Sequence, residues 1–185
     1  MIYCNVNYQV YELLIMIYRE YFNAAQRHRE TCDYLIKKIK DPQEYIEVPC
    51  QKKILQNIYY LSGYIIECII SYTFFSVINY DIKKSVYDLD DNNSFSYKFH
   101  IFFKDHSINS NELRIEEIRK RGGSLSSEIP IIGDVVVEEI TKKMYFQWNS
   151  KSRYTTTHLD FEVNQVNVIK FFTLASDIYL KMKKI

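Results

Sequence analysis

The sequence predicts an all-α protein, an up-and-down bundle of four to five helices with a long N-terminal helix. The 185 residues include only 4 glycines and 3 prolines, too few for the many tight turns of a barrel or a sandwich. Apolar residues near both ends of the chain also recur at alternating steps of three and four, which is the pattern of one helix face. A chain of this length is most simply one domain, here residues 1–185.

The first predicted helix runs from Tyr8 to Ile39 and is the long N-terminal one. Its stripe is interrupted only by Arg29. The stretch Lys40-Asp41-Pro42 should end it, because proline disfavours helical backbone in the residue before it. The stripe consists of Tyr8, Tyr11, Ile15, Tyr18, Phe22, Ala25, Arg29, Cys32, Ile36 and Ile39.

The second predicted helix, from about Cys50 to Asn79, contains a 21-residue apolar run, Ile58 to Ile78, in which Glu67 is the only charge. Such a run resembles a membrane span by length. A carboxylate at its centre would cost about 2.5 to 3.5 kcal/mol on insertion, however, and serines and tyrosines also interrupt it. A helix that is apolar on every side is equally the central helix of a bundle. We therefore expect no membrane association.

The section from about 80 to 134 is predicted to be irregular, with helices at about 94–106 and 111–121. Asp134 is a plausible cap for the next helix, which should run to about Trp148. The last helix is predicted from about His158 to Lys183. Its start is inferred from Thr157-x-x-Asp160, which resembles a capping box.

Charge and cysteine usage exclude several classes of function. Lys and Arg number 24 against 23 Asp and Glu, a net charge of +1, so no broad field attracts DNA or anionic lipid. The local basic spot Arg27-His28-Arg29 is interpreted as solvated. The cysteines at 4, 32, 50 and 68 are far apart with no Cys-x-x-Cys, which predicts reduced, buried thiols in a cytoplasmic protein and neither metal nor other cofactor.

Three stretches of the sequence together resemble the HEPN domain, the helical bundle of many prokaryotic RNases and their inactive relatives. They are Ala24-Ala25 through Leu35-Ile36, the segment Tyr60–Cys68 with its Gly-Tyr-x-x-Glu pattern, and Trp148 followed by Arg153-Tyr154. In that family an Arg-x(4–6)-His motif lies close to the start of the last core helix. Arg153 and His158 match it. The resemblance implies a homodimeric endoribonuclease that acts on RNA, a toxin or phage-defence effector, with each pair forming half of a catalytic centre.

The motif suits RNA cleavage that needs no metal. A neutral imidazole at His158 could remove the proton of a ribose 2′-hydroxyl, while Arg153 steadies the phosphate as charge builds on its oxygens. A helix N-terminus beside His158 would favour the neutral ring. Five residues of continuous helix would separate the two side chains by roughly 140°. They can converge only if the segment between them bends or begins the helix.

A second interpretation makes Arg153 structural. The residue after the motif arginine is commonly polar in the nucleases, and here it is Tyr154. Arg153 would then pair with Glu67, whose carboxylate is costly in an apolar helix unless it has a partner. The protein would be a catalytically inactive bundle that binds RNA, a nucleotide or a protein partner such as a nucleotidyltransferase. Glu67 and Tyr154 are predicted as supporting residues of the site.

Overall fold

A computed structural model describes residues 16–86, 89, 108–121, 137–154, 156–157 and 159–184. Over these residues the chain forms five α-helices, one 3₁₀ turn and no strand. The predicted all-α bundle is confirmed. The helices are α1 (Arg19–Lys40), α2 (Val48–Val77), α3 (Ile108–Arg121), α4 (Glu139–Gln147) and α5 (Gln165–Met182), and the 3₁₀ turn, Ser150–Arg153, lies between α4 and α5.

Helix α1 is shorter than predicted. It begins at Arg19, and residues 16–18 before it are not helical. The part of the predicted stripe from Tyr8 to Ile15 lies outside the described residues. It ends at Lys40 as Pro42 predicts, with Asp41 in extended backbone. Arg29 interrupts the stripe because its guanidinium lies over the ring of Tyr179 in α5, 5.3 Å from the centroid, where the ring face attracts the cation.

Helix α2 is the centre of the bundle and contacts α1, α3, α5 and the 3₁₀ turn. Pro49 stands in its first turn, where its missing N–H costs nothing. Hydroxyl groups in its buried part donate to the carbonyl one turn back: Ser62 to Ile58 at 2.7 Å and Thr73 to Ile69 at 2.9 Å. These bonds remove the cost of burying polar groups.

The apolar length of α2 also meets the criteria for a membrane span. By length and composition it is the one helix among the described residues that does so, and 67% of its most apolar window is buried inside the protein. A core helix of a bundle has both properties. The prediction of no membrane association stays a prediction.

Two predictions for the later helices have different outcomes. The predicted helix at 111–121 is confirmed as α3, which begins at Ile108, whereas 94–106 and Asp134 lie outside the described residues. The predicted start of the last helix near His158 is wrong. Its N-cap is Asn164, whose side chain accepts from the backbone N–H of Asn167 at 3.0 Å. The apolar stripe of α5 is buried as predicted, at Val168, Phe172, Ala175, Tyr179 and Met182.

The cysteines follow the prediction in part. Cys32 and Cys68 are buried, whereas Cys50 is exposed near the start of α2, contrary to the expectation that all are buried. Cys4 lies outside the described residues. Burial raises the pKa of Cys32 to about 12, so its thiol stays protonated and unreactive at neutral pH.

Candidate functional site

Trp148 packs on the segment Tyr60–Cys68, so two of the three stretches that resemble the HEPN domain are in contact. Its indole is 3% exposed, and Nε1 donates a hydrogen bond to the backbone carbonyl of Tyr60 at 3.0 Å. The ring meets Tyr64 edge to face, with centroids 5.0 Å apart. A Cβ atom on Gly63 would lie only 2.1 Å from the indole. Glycine at 63 therefore lets Trp148 lie directly on α2.

The 3₁₀ turn that follows Trp148 is fixed at both ends. The side chain of Asn149 accepts from the backbone N–H of Lys151 at 2.9 Å, and its backbone N–H donates to the hydroxyl of Ser152 at 3.5 Å, a reciprocal cap. Ser152 is fully buried. Its carbonyl accepts from Nε2 of Gln56 at 3.3 Å. The turn is thus held against α2 by the Gln56 bond to Ser152 and, just before the turn, by the Trp148 bond to Tyr60.

Arg153 is the last residue of this turn, and its side chain is exposed. The guanidinium lies 5.7 Å from the ring centroid of Tyr154, which is 80% exposed. A fixed backbone thus presents a cation and an aromatic ring to solvent side by side. A guanidinium binds phosphate oxygens in a fork, and a tyrosine ring can stack on a base.

The structure does not bring Arg153 and Glu67 together. Glu67 is 5% exposed, whereas Arg153 is exposed. The 3₁₀ turn contacts α2 at Gln56, and Glu67 lies eleven residues further on, about 16 Å along the helix axis. The pairing proposed in the structural interpretation of Arg153 is therefore wrong.

The buried cation near Glu67 is Arg114 of α3, which is 1% exposed. Its guanidinium donates to the side chain of Asn111 at 3.1 Å. Burial, and after it the charge of Glu67, raise the pKa of Cys68 to about 12, while the charges of Arg114 and Arg27 oppose this shift. Glu67 and Arg114 therefore both act on the same thiol. The sequence indicates this burial in one way: Arg114 lies three residues after Asn111 and four before Ile118, and both of these neighbours on its helix face are buried.

His158 lies outside the described residues, but its neighbours bear on two predictions. Tyr154, Thr156 and Leu159 are not helical, and the Leu159 N–H donates to the Thr156 carbonyl at 3.1 Å. The segment from Arg153 is therefore not a continuous helix, which meets the condition for convergence. The predicted effect of a helix N-terminus on His158 is wrong, because α5 begins seven residues later and the effect fades within one turn.

A cavity of about 450 Å³ borders this segment. It lies between the first turn of α2 and the first turn of α5, and Thr156 contributes to its wall. The other lining residues are Val48, Gln51, Lys52, Leu55, Phe161, Glu162, Val163, Asn164 and Gln165. Thr156 and Phe161 thus border an open space with both apolar and polar walls.

His28 is not solvated as predicted. It is half-buried, and its ring centroid lies 6.0 Å from that of Tyr64. Burial, and after it the charge of Arg27, lower the pKa of His28 below its ordinary value. The imidazole is therefore neutral at physiological pH.

This lowered pKa predicts a loss of stability in mild acid. Because the folded protein binds the His28 proton less readily than the unfolded chain does, stability falls as pH decreases through about 6.5 toward the folded pKa. We expect His28→Gln to lose less melting temperature than the wild type between about pH 7.5 and about pH 5.5. Parallel melting curves for the two proteins across this range would contradict the assignment.

Among the described residues, no group of three or more His, Cys, Asp and Glu side chains is placed to hold a metal ion. No protein-family model, curated protein or solved structure matches this chain. The geometry around Arg153 and the three sequence stretches described above are therefore the features that bear on function.

Proposed function

We propose that this protein is a HEPN-like endoribonuclease that cleaves single-stranded RNA without a metal, through Arg153 and His158. The observation that carries the proposal is the exposure of Arg153 on a turn that is held against α2. The arginine that the bundle takes into its interior is Arg114, which is 1% exposed. Arg153 is instead available to a ligand, and the resemblance of its surroundings to HEPN proteins indicates RNA.

The proposed reaction is an internal transesterification. His158, as a neutral base, takes the proton of a ribose 2′-hydroxyl, and the 2′-oxygen forms a bond to the adjacent phosphorus. The bond from phosphorus to the 5′-oxygen breaks, and the 5′-oxygen takes a proton from water as it leaves, while the imidazolium of His158 returns its proton to the solvent. The products are a 2′,3′-cyclic phosphate and a 5′-hydroxyl. Arg153 binds the non-bridging oxygens, whose negative charge is greatest in the transition state.

The proposal includes a homodimer. One copy supplies one Arg153 and one His158, and in HEPN proteins the site is usually completed across a two-fold axis. Two motifs facing one another would place two cations and two imidazoles around a single phosphate. A toxin or phage-defence effector that acts in the cytoplasm would fit such an activity.

The test is RNA cleavage in the absence of divalent metal. We expect the wild type to cut a mixed pool of single-stranded RNA in EDTA, and we expect His158→Ala to lose this activity. His106→Ala is the matched control, since it removes another of the four histidines, one that belongs neither to the motif nor to the three stretches that resemble the HEPN domain. Intact RNA with the wild type, or equal cutting by His158→Ala, would rule out the assignment.

A catalytically inactive, partner-binding bundle is the second candidate function. The observation that favours it is the exposure of Tyr45, Val48 and Val166, since Val48 also lines the cavity. Tyr45 and Val48 are three residues apart in the chain, and exposed apolar side chains grouped in this way are typical of a protein interface. A nucleotidyltransferase or another protein would be the partner. Binding of RNA or of such a protein without any cleavage in EDTA would favour this function over the first.

A further inference from the structure

We infer that single-stranded RNA lies along one face of α2, where Tyr60 and Tyr64 stack its bases and Arg27 and Arg153 hold its phosphates at the two ends. This inference rests on the proposed function, because it names the binding surface of the same site. The proposed ligand contact thus extends from the 3₁₀ turn, whose last residue is Arg153, to the outer side of α1.

The aromatic part of this surface is held rigidly. Tyr60 and Tyr64 are one helical turn apart, both are partly exposed, and their ring centroids are 4.8 Å apart. Trp148 supports them from within the protein, through its bond to the Tyr60 carbonyl and its edge-to-face contact with Tyr64. Rings that are already fixed lose little entropy when a base stacks on them.

A third ring continues the surface onto α1. His28 lies 6.0 Å from Tyr64, and its imidazole is neutral because burial and Arg27 lower its pKa. It therefore offers a flat ring and no positive charge. Arg27, which is exposed, supplies the charge at this end, because it lies close enough to act on the His28 ring.

The opposite end of the surface is formed by the 3₁₀ turn that ends at Arg153. Gln56, Tyr60 and Tyr64 follow one another at intervals of four residues, so they line one face of α2 over about 12 Å. Gln56 bonds the carbonyl that precedes Arg153. Arg153 and Tyr154 thus stand at one end of the aromatic rings, and Arg27 stands at the other.

Charge along this face suits a polyanion. Residues 48–66 of α2 contain no aspartate or glutamate, and they include Lys52 and Lys53, both exposed. The first carboxylate after them is Glu67, which is buried. A phosphate backbone would therefore meet cations and aromatic rings along the face, without an exposed carboxylate of α2 to repel it.

The same features select single strands. Bases in an RNA duplex are stacked on one another and paired, so their faces cannot reach tyrosine rings, whereas an unpaired strand exposes them. We therefore expect this surface to bind single-stranded RNA more tightly than a duplex of the same sequence.

Binding is measured in the His158→Ala background, so that the RNA stays intact, by fluorescence anisotropy with a short labelled single strand. Tyr60→Leu and Tyr64→Leu should each weaken binding about tenfold, and Tyr60→Phe and Tyr64→Phe should retain it, because phenylalanine still stacks. The Trp148 bond survives at position 60, since it goes to the backbone carbonyl. Leucine variants that bind as tightly as the phenylalanine variants would overturn the inference.

The second measurement, the salt dependence of binding, uses variants of exposed residues, so a loss of packing cannot explain its result. Arg27→Gln should reduce the slope of log affinity against log salt by about one, because one phosphate contact is lost. Lys37→Gln, at an exposed lysine of the same helix, should leave the slope unchanged. Equal slopes for the two variants, or equal affinity for duplex and single strand, would contradict the inference.

These outcomes separate the inference from the proposed function. Binding that depends on Tyr60, Tyr64 and Arg27, together with no cleavage by the wild type, would overturn the nuclease and support the binding surface. Cleavage that requires His158, with binding insensitive to the same three residues, would support the nuclease and overturn the surface. An RNA pool that neither binds nor is cut would overturn both.

Discussion

Replacing Arg153 with alanine is expected to reduce RNA cleavage in EDTA by about a hundredfold or more, with no change in melting temperature. The loss follows from its role, since removing one donor that stabilises transition-state charge costs about 10²- to 10³-fold in rate. The unchanged stability follows from its place, because Arg153 is exposed and its contact is the ring of the exposed Tyr154. Initial cleavage rates and thermal melts measure the two effects separately.

Two variants sharpen this prediction. Arg153→Lys keeps the charge but not the forked donor, so it should retain only part of the activity. Lys151→Ala removes an exposed cation from the same turn and should cleave like the wild type. A melting temperature several degrees lower for Arg153→Ala would show that the guanidinium supports the fold, and wild-type cleavage by this variant would remove it from the site.

Replacing Gly63 with alanine is expected to destabilise the protein by about 3 kcal/mol, at the upper end of what overpacking a core usually costs. The added methyl would lie 2.1 Å from the indole of Trp148, so the ring must move away from α2. Movement of Trp148 would strain its bond to the Tyr60 carbonyl and displace the turn that carries Arg153. Chemical denaturation of the two proteins measures the difference.

The sign of this effect depends on Trp148. Alanine has a higher helix propensity than glycine by about 1 kcal/mol, so in a Trp148→Ala background Gly63→Ala should be neutral or stabilising. Trp148→Ala alone should cost about 3 to 5 kcal/mol. The double mutant should therefore be more stable than the sum of the two single changes implies. Stabilisation by Gly63→Ala in the wild type would disprove the close contact.

The sequence predicts the features that depend on local pattern. The buried stripes of α1 and α5 follow from spacings of three and four, and the end of α1 follows from Pro42. The predicted start of α5 is wrong because two polar segments, Thr157-x-x-Asp160 and Asn164, both have side chains that can cap a helix. Asn164 caps the helix, while Asp160 accepts a hydrogen bond from Gln147 of α4 instead, a tertiary contact that no local pattern reveals.

The geometry of the candidate site depends on contacts between distant parts of the chain. Trp148 and Gly63 are 85 positions apart in sequence, and nothing in either stretch shows that one packs on the other. The identity of the buried cation near Glu67 also depends on packing. The sequence favours Arg153, but α3 brings Arg114 into the interior. Residue type predicts that a buried carboxylate needs compensation, and only the fold shows that Arg114 is buried in the same bundle while Arg153 is exposed.

The chemistry of the RNA ends tests the central claim most directly. If His158 and Arg153 direct attack by the ribose 2′-oxygen, RNA incubated with the wild type in EDTA should yield fragments with 2′,3′-cyclic phosphate and 5′-hydroxyl ends, identified by mass spectrometry. A strand with a 2′-deoxyribose before the scissile phosphate should stay intact at that position. Fragments with 3′-hydroxyl and 5′-phosphate ends, or no fragments at all, would contradict the account.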